Sequence, residues 1–134
     1  MQTKTLEINS YRDLIVWQRS MELVEEIYIL TKKLPREEIF GLTSQARRAA
    51  VSIPSNIAEG RSRGYRKEYA QFLRNAFGSG AELETQLEII KRLYKIYSKL
   101  FVKPDSLLEE TMKMLNSLIF KLSAYKPNVL SPNS

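Results

Sequence analysis

From Tyr11 onward the apolar side chains of this chain recur at three- and four-residue steps, and nowhere do they alternate with period two over a useful length. That pattern admits helices and argues against strands. A helix with one apolar stripe must bury it against another helix. The first period runs from about Tyr11 to Lys33 and puts Leu14, Trp17, Met21, Val24, Tyr28 and Thr31 on one face. Ser10, with Asp13 three residues later, has the character of an N-terminal cap followed by an acid in the first turn. Leu34-Pro35 stops this helix, because proline disfavours helix in the residue before it. Glu37 to Phe40 fits one extra turn.

The second period runs from about Leu42 to Arg61. At 100° per residue, Leu42, Ala46, Ala49, Ala50, Ile53 and Ile57 fall within an arc of about 100°. Pro54 lies inside it, lacks a donor and crowds the carbonyl of Ala50, so a kink is expected there. Gly60 is expected to end the helix, with Arg61 to Gly64 as the turn. The third period, about Tyr65 to Tyr97, aligns Tyr69, Phe72, Leu73, Ala76, Phe77, Gly80, Leu83, Leu87, Ile90 and Tyr94, and its thirty or so residues would span roughly 45 Å. Pro104-Asp105 opens the fourth, with proline near the first helical position. Leu107, Leu108, Thr111, Leu115, Leu118, Ile119 and Leu122 carry it to about Tyr125.

Four amphipathic helices on short links predict an all-α fold, an antiparallel up-down-up-down four-helix bundle. The chain of 134 residues suits one core. The bundle is expected over 11–125, between a flexible N-terminus (1–10) and a polar, disordered tail (126–134). The chain has no cysteine, its first residues hold no apolar signal segment, and no apolar run approaches the ~18 residues of a membrane span. These features predict a cytoplasmic protein with no membrane role.

The net charge of +6 is unevenly spread. Residues 1–40 sum to −1, 68–97 to 0 and 98–134 to +2, whereas 41–67 reach +5, with Arg47, Arg48, Arg61, Arg63, Arg66 and Lys67 against Glu59 alone. A patch of this kind raises the odds of an anionic partner; its plain alternative is a solvated polar face. Tyr65 lies among the turn arginines, and an arginine beside an aromatic is the pairing that single-stranded RNA recognition uses.

Catalytic chemistry is thin. With neither histidine nor cysteine, the commonest general base, thiol nucleophiles and zinc sites are excluded. Gly60 to Gly64 lacks the Gly-Lys-Ser/Thr ending of a phosphate-cradling loop. Ser52 and Ser55 lie near arginines but have no activating base. Glu59, Glu82 and Glu84 are better read as partners of Arg47, Arg48 or Arg61 than as a metal site. Neither enzyme activity nor a cofactor nor a metal is expected.

Other residues point outward. Each glycine inside a helix costs about 1 kcal/mol relative to alanine, yet Gly78 and Gly80 both lie mid-helix. Gly80, on the core face, would admit the second helix; Gly78 points nearly the opposite way and would meet a neighbour from elsewhere. Ile89 and Leu93 fall about 200° and 240° round from Tyr69, outside the core arc. Val51 and Ala58 sit opposite Ile53. Val51, Ala58, Gly78, Ile89 and Leu93 are therefore the candidate faces of a homo-oligomer. Asn56, Gln45 and Ser52 border the core arc and need hydrogen bonds, for which the carbonyls left unpartnered by Pro54 are candidates.

Three blocks carry a family likeness: Asp13-Leu14-Ile15-Val16-Trp17-Gln18, the long stretch from Gly41 to Gly60, and Gly78 to Leu87. Together they resemble the bacterial four-helix-bundle family encoded in intervening sequences of 23S ribosomal RNA genes. The likeness covers roughly Tyr11 to Tyr97; the fourth helix agrees by pattern only. Gly80 departs from a bulkier residue common at that position, which would alter helix packing. The resemblance implies a cytoplasmic bundle that assembles as a ring, a homopentamer. It also implies kinship in fold with the accessory protein of diversity-generating retroelements, a basic pentameric barrel that binds nucleic acid and a reverse transcriptase. It supplies no catalytic residues. The resulting expectation is a ring-forming bundle that binds RNA or another nucleic acid through the six basic residues; the rival is a homo-oligomeric protein-interaction scaffold.

Overall fold

The computed structural model describes residues 10–124, which form four α-helices: α1 (Ile15–Thr31), α2 (Leu42–Arg63), α3 (Arg66–Leu93) and α4 (Val102–Ala124). No strand occurs among the described residues, and none of their helices is long and apolar enough to cross a membrane. The expectations for 1–10 and 126–134 fall, Ser10 aside, outside the described residues.

Each helix packs on two others, α1 and α3 both lying against α2 and α4, and the α2–α3 seam is the most extensive. One core results. Leu23, Ile27 and Leu30 of α1, Ile53 and Ile57 of α2, Leu73, Leu83, Leu87 and Ile90 of α3 and Leu115 of α4 are fully buried.

The predicted stripe of α1 only partly faces the core: Thr31 is buried and Leu14, Trp17 and Val24 pack against the core, whereas Met21 and Tyr28 are 38% and 39% exposed. The other innermost residues are Val16, Ser20, Leu23, Ile27 and Leu30. Two apolar stripes run side by side on this helix, and Ser20 interrupts the inner one. Its hydroxyl donates to the Trp17 carbonyl at 2.8 Å, so burying it leaves no donor unpaired. The helix also starts later than expected. Ser10 accepts from the Arg12 amide and caps a separate turn, Tyr11–Asp13, before the extended Leu14.

Gly60 does not end α2. The helix runs on to Arg63 and stops at Gly64, whose φ of 83° is the left-handed conformation glycine adopts without a steric penalty. Gly60 is instead the point of closest approach to α3: a Cβ there would lie 2.5 Å from the Phe72 Cβ. Gly80 makes room for Met112 of α4, not for α2 as expected. Between these glycines Ser52 and Ser79 share a hydrogen bond of 2.8 Å across the seam. Asn56 donates to the Ser52 carbonyl at 2.8 Å and hydroxyl at 3.0 Å, not to the carbonyl opposite Pro54. Helix α3 ends at Leu93, short of Tyr97, and α4 begins at Val102, ahead of Pro104.

A clasp joins the α1–α2 link to the end of α3. Helix α2 has no side-chain cap at Gly41. Glu38 accepts from the Leu42 amide at 3.1 Å and also from the Tyr94 hydroxyl. The hydrogen bond from Tyr94, then that from Leu42, holds the Glu38 carboxyl below its ordinary value, and the same Glu38 contact pushes Tyr94 up to about 12.

Two predictions follow from this packing. Overpacking a core costs about 1–3 kcal/mol, so Gly60→Ala should lower stability in denaturant titrations despite its better helix propensity. Among the described residues nothing lies within 4 Å of a Cβ added at Gly78, so Gly78→Ala should raise the stability of the dilute protein by about 0.5–1 kcal/mol. The clasp sets the pH response. The depressed Glu38 value stabilises the fold above its ordinary carboxyl range, and that contribution is lost as pH falls through the folded value. The raised Tyr94 value stabilises below ~10 and is lost as pH climbs through about 12. In an absorbance titration one tyrosine should ionise near 12 and return toward ~10 in Glu38→Gln; no change on that substitution would rule the clasp out.

Candidate nucleic-acid interface

Helix α2 separates the basic residues into two groups. Arg48 and Arg61 are thirteen residues apart, which is about 20 Å of helix and about 140° of rotation. They do not converge on one spot.

The first group is tied to α1. The Arg47 guanidinium donates from Nε to Thr31 Oγ1 at 2.9 Å and lies 4.3 Å from the centre of the Tyr28 ring. Thr31, itself buried, donates a hydrogen bond from its hydroxyl to the Ile27 carbonyl at 2.7 Å. Arg47 therefore stitches α2 to α1, with its charge over an aromatic face. Arg48, one residue on, is exposed and makes no hydrogen bond or ion pair among the described residues. Both border a shallow depression of about 420 Å³ with Thr43, Ser44 and Val51.

The second group sits at the α2–α3 turn, which consists of Gly64 and the extended Tyr65. A link this short places the last turn of α2 beside the first turn of α3. Arg61 and Arg63 complement the negative end of the α2 dipole, whereas Arg66 and Lys67 oppose the positive end of α3, a placement that costs a few tenths to about 1 kcal/mol each. Arg63 is the least available. It meets Glu59 at 2.9 Å and Glu68 at 3.9 Å and covers the Phe72 ring at 5.0 Å. The hydrogen bond to Glu59 is the main cause holding its guanidinium above the ordinary value. Glu59 thus pairs with Arg63, while Arg47 is held by Thr31 and Tyr28. Arg61 and Arg66 each have an interaction of their own. Lys67 is exposed, with no hydrogen bond or ion pair among the described residues.

Gly60, Arg61, Gly64, Tyr65, Arg66 and Tyr69, with Leu122 from α4, line an open groove of about 400 Å³. Tyr65 is 69% exposed. Burial raises the Tyr69 pKa and outweighs the opposing pull of Arg61. Sequence reasoning found Tyr65 but not Tyr69 or Leu122 as its neighbours, since both read as core positions.

The five interface candidates fall on different faces. Val51 and Ala58 line an apolar groove of about 340 Å³ with Tyr11, Trp17, Met21 and Val24 of the α1 side. Ile89 borders a larger groove between α3 and α4, Leu93 is exposed near the end of α3, and Gly78 is open on its outer side. No group of three or more Asp or Glu among the described residues is placed to hold a metal ion.

A profile of the 23S rRNA-intervening sequence protein family matches residues 12–117. The chain belongs to this family. The match extends past Tyr97 into α4, where the sequence alone showed only a pattern. Among solved structures, a protein of unknown function from the S23 ribosomal protein family of Bacteroides thetaiotaomicron VPI-5482 is 28% identical, with a TM-score of 0.71 over 78% of this chain and 98% of its own. No curated protein matches the sequence. The family and this structure carry a helical fold and transfer no catalytic residue.

Proposed function

We propose that the chain is a non-catalytic, antiparallel up-down-up-down bundle, a single domain over 11–125, that assembles into a homo-oligomeric ring and binds RNA in the cytoplasm through its basic surface. The bundle order is supported by contact pairs that run in opposite senses: Gly60 with Phe72 and Ser52 with Ser79 along α2 and α3, Arg19 with Glu110 and Glu26 with Lys103 along α1 and α4.

The observation that carries the RNA reading is the availability of charge in the most basic stretch of the chain. Arg48 and Lys67 have no ion pair among the described residues, and Arg61 and Arg66 flank an exposed tyrosine. Arg47 and Arg63 support these from within. Membership in a family described by 23S rRNA intervening sequences is consistent with an RNA partner. Ring assembly would multiply the patch and its field by the number of subunits; five is the number implied by the family resemblance. Unlike apolar faces, Val51 and Ala58 on one side and Ile89 and Leu93 on another, suit head-to-tail contacts that close a ring. A non-catalytic role is consistent with Ser52, whose hydroxyl is engaged by Asn56 and Ser79 and faces no base. The apolar α1–α2 groove around Trp17 favours a second reading, a protein-interaction scaffold.

Binding should be mostly phosphate-driven, with log affinity falling by about 0.7 per phosphate contact for each decade of salt on single strands. Replacing Arg48 and Lys67 by Glu should weaken binding at every salt concentration and flatten that slope. Absence of binding at low salt ends the RNA reading, and recovery of one protein partner after nuclease treatment replaces it with the scaffold. Light scattering should report a multi-subunit species that Val51→Glu or Leu93→Glu breaks into smaller, still helical ones. A lone monomer at high concentration refutes the ring.

A further inference from the structure

We infer that the groove at the α2–α3 turn is a slot for one unpaired nucleotide, whose base stacks on Tyr65 and whose phosphates meet Arg61 and Arg66. The inference rests on the RNA-binding reading and narrows it to single-stranded or looped RNA.

One feature separates this groove from the other basic surface, and its walls and size then fit a nucleotide. It carries an aromatic face in the open: Tyr65 is at the surface, while Tyr28, the aromatic beside Arg48, is already covered by Arg47. Its walls are mixed, with Tyr69 and Leu122 apolar and Arg61 and Arg66 charged. That combination suits a flat base attached to an anionic backbone. Its volume of about 400 Å³ lies within the range of roughly 300–1,000 Å³ typical of small-ligand sites.

Gly64 keeps it open: it lines the groove, and among the described residues nothing beyond its chain neighbours stands within 4 Å of its Cβ position. Stacking needs a free base face, which a continuous duplex does not offer, because its bases are already stacked on one another. Arg61 and Arg66 have partners of their own, but a guanidinium carries five N–H donors and can serve a phosphate as well. The Tyr69 hydroxyl, on the groove lining, adds a neutral donor for a base or ribose oxygen.

The full-length protein should be titrated with fluorescently labelled oligouridine and with a blunt RNA duplex of equal length, at low and moderate salt. Oligouridine should bind more tightly than duplex. Tyr65→Leu should weaken oligouridine binding about ten-fold, leave duplex binding and the salt slope unchanged, and retain the helical circular dichroism of the parent. Tyr65→Phe should keep most of the affinity, because it keeps the ring. Lys67→Ala, by contrast, should weaken both ligands and lower the salt slope by about one. If Tyr65→Leu leaves oligouridine binding intact, or weakens both ligands equally, the slot is wrong while charge-driven RNA binding stands. If neither ligand binds at low salt, both readings fail.

Discussion

Everything else in this bundle depends on how closely α2 and α3 approach each other. The face that α2 turns inward is built from Ala46, Ala49, Ala50 and Gly60, with isoleucines between them. Small side chains leave room for a second backbone, and dispersion contacts accumulate only when the surfaces touch. Gly60 takes this furthest, since Phe72 occupies the space where a Cβ would stand. The hydroxyls of Ser52 and Ser79 pair with each other across the seam, so neither holds it apart as an unsatisfied polar group. Helices α1 and α4 then close over the exposed sides, and a small number of surface ion pairs such as Lys91–Asp105 at 2.8 Å tie them down. Exposed pairs of that kind contribute only about 0–1 kcal/mol each, so packing, not charge, holds the molecule together.

The same seam positions the basic turn. Because α2 and α3 stay in contact to their shared end, the link between them needs only Gly64 and Tyr65. A two-residue link crowds four cations into the adjoining turns and leaves the tyrosine with no place in the core. Arg63 relieves part of the repulsion through Glu59 and Glu68. Arg66 and Lys67 stay at the helix end where their charge is disfavoured. Local choices that run against the fold are where function is to be sought, and this is the clearest such place in the described chain.

Most of the architecture was legible from periodicity. The inward faces of α2, α3 and α4 were correctly read because each has one dominant apolar arc. Helix α1 misled because it has two arcs. The larger side chains, Trp17, Met21 and Tyr28, mark the outer arc, of which Trp17 still packs against the core, while Ser20 breaks the apolar run of the inner one. Gly60 misled for a similar reason. A glycine near a helix end is usually a stop signal, yet here the stop is Gly64 and Gly60 is a packing site; both roles use the missing Cβ, and the sequence does not distinguish them. The Glu38–Tyr94 clasp had no signal at all, because its partners are 56 residues apart. Two buried oxygens, Gln86 Oε1 and Thr111 Oγ1, lack a hydrogen-bond partner among the described residues.

What the sequence by itself determined was the helical class, the number of helices, the absence of histidine and cysteine chemistry, and the concentration of positive charge in residues 41–67. These are properties of spacing and composition, which exist before any contact forms. What only the tertiary structure decided was which cations remain available. Arg47 and Arg63 look the same as Arg48 and Lys67 in the sequence. They differ because long-range packing brings Tyr28 and Thr31 under the first and Phe72 under the second, while Glu59 and Glu68 offset its charge. Whether a charge reaches solvent depends on its neighbours in space, and those are set when the helices meet.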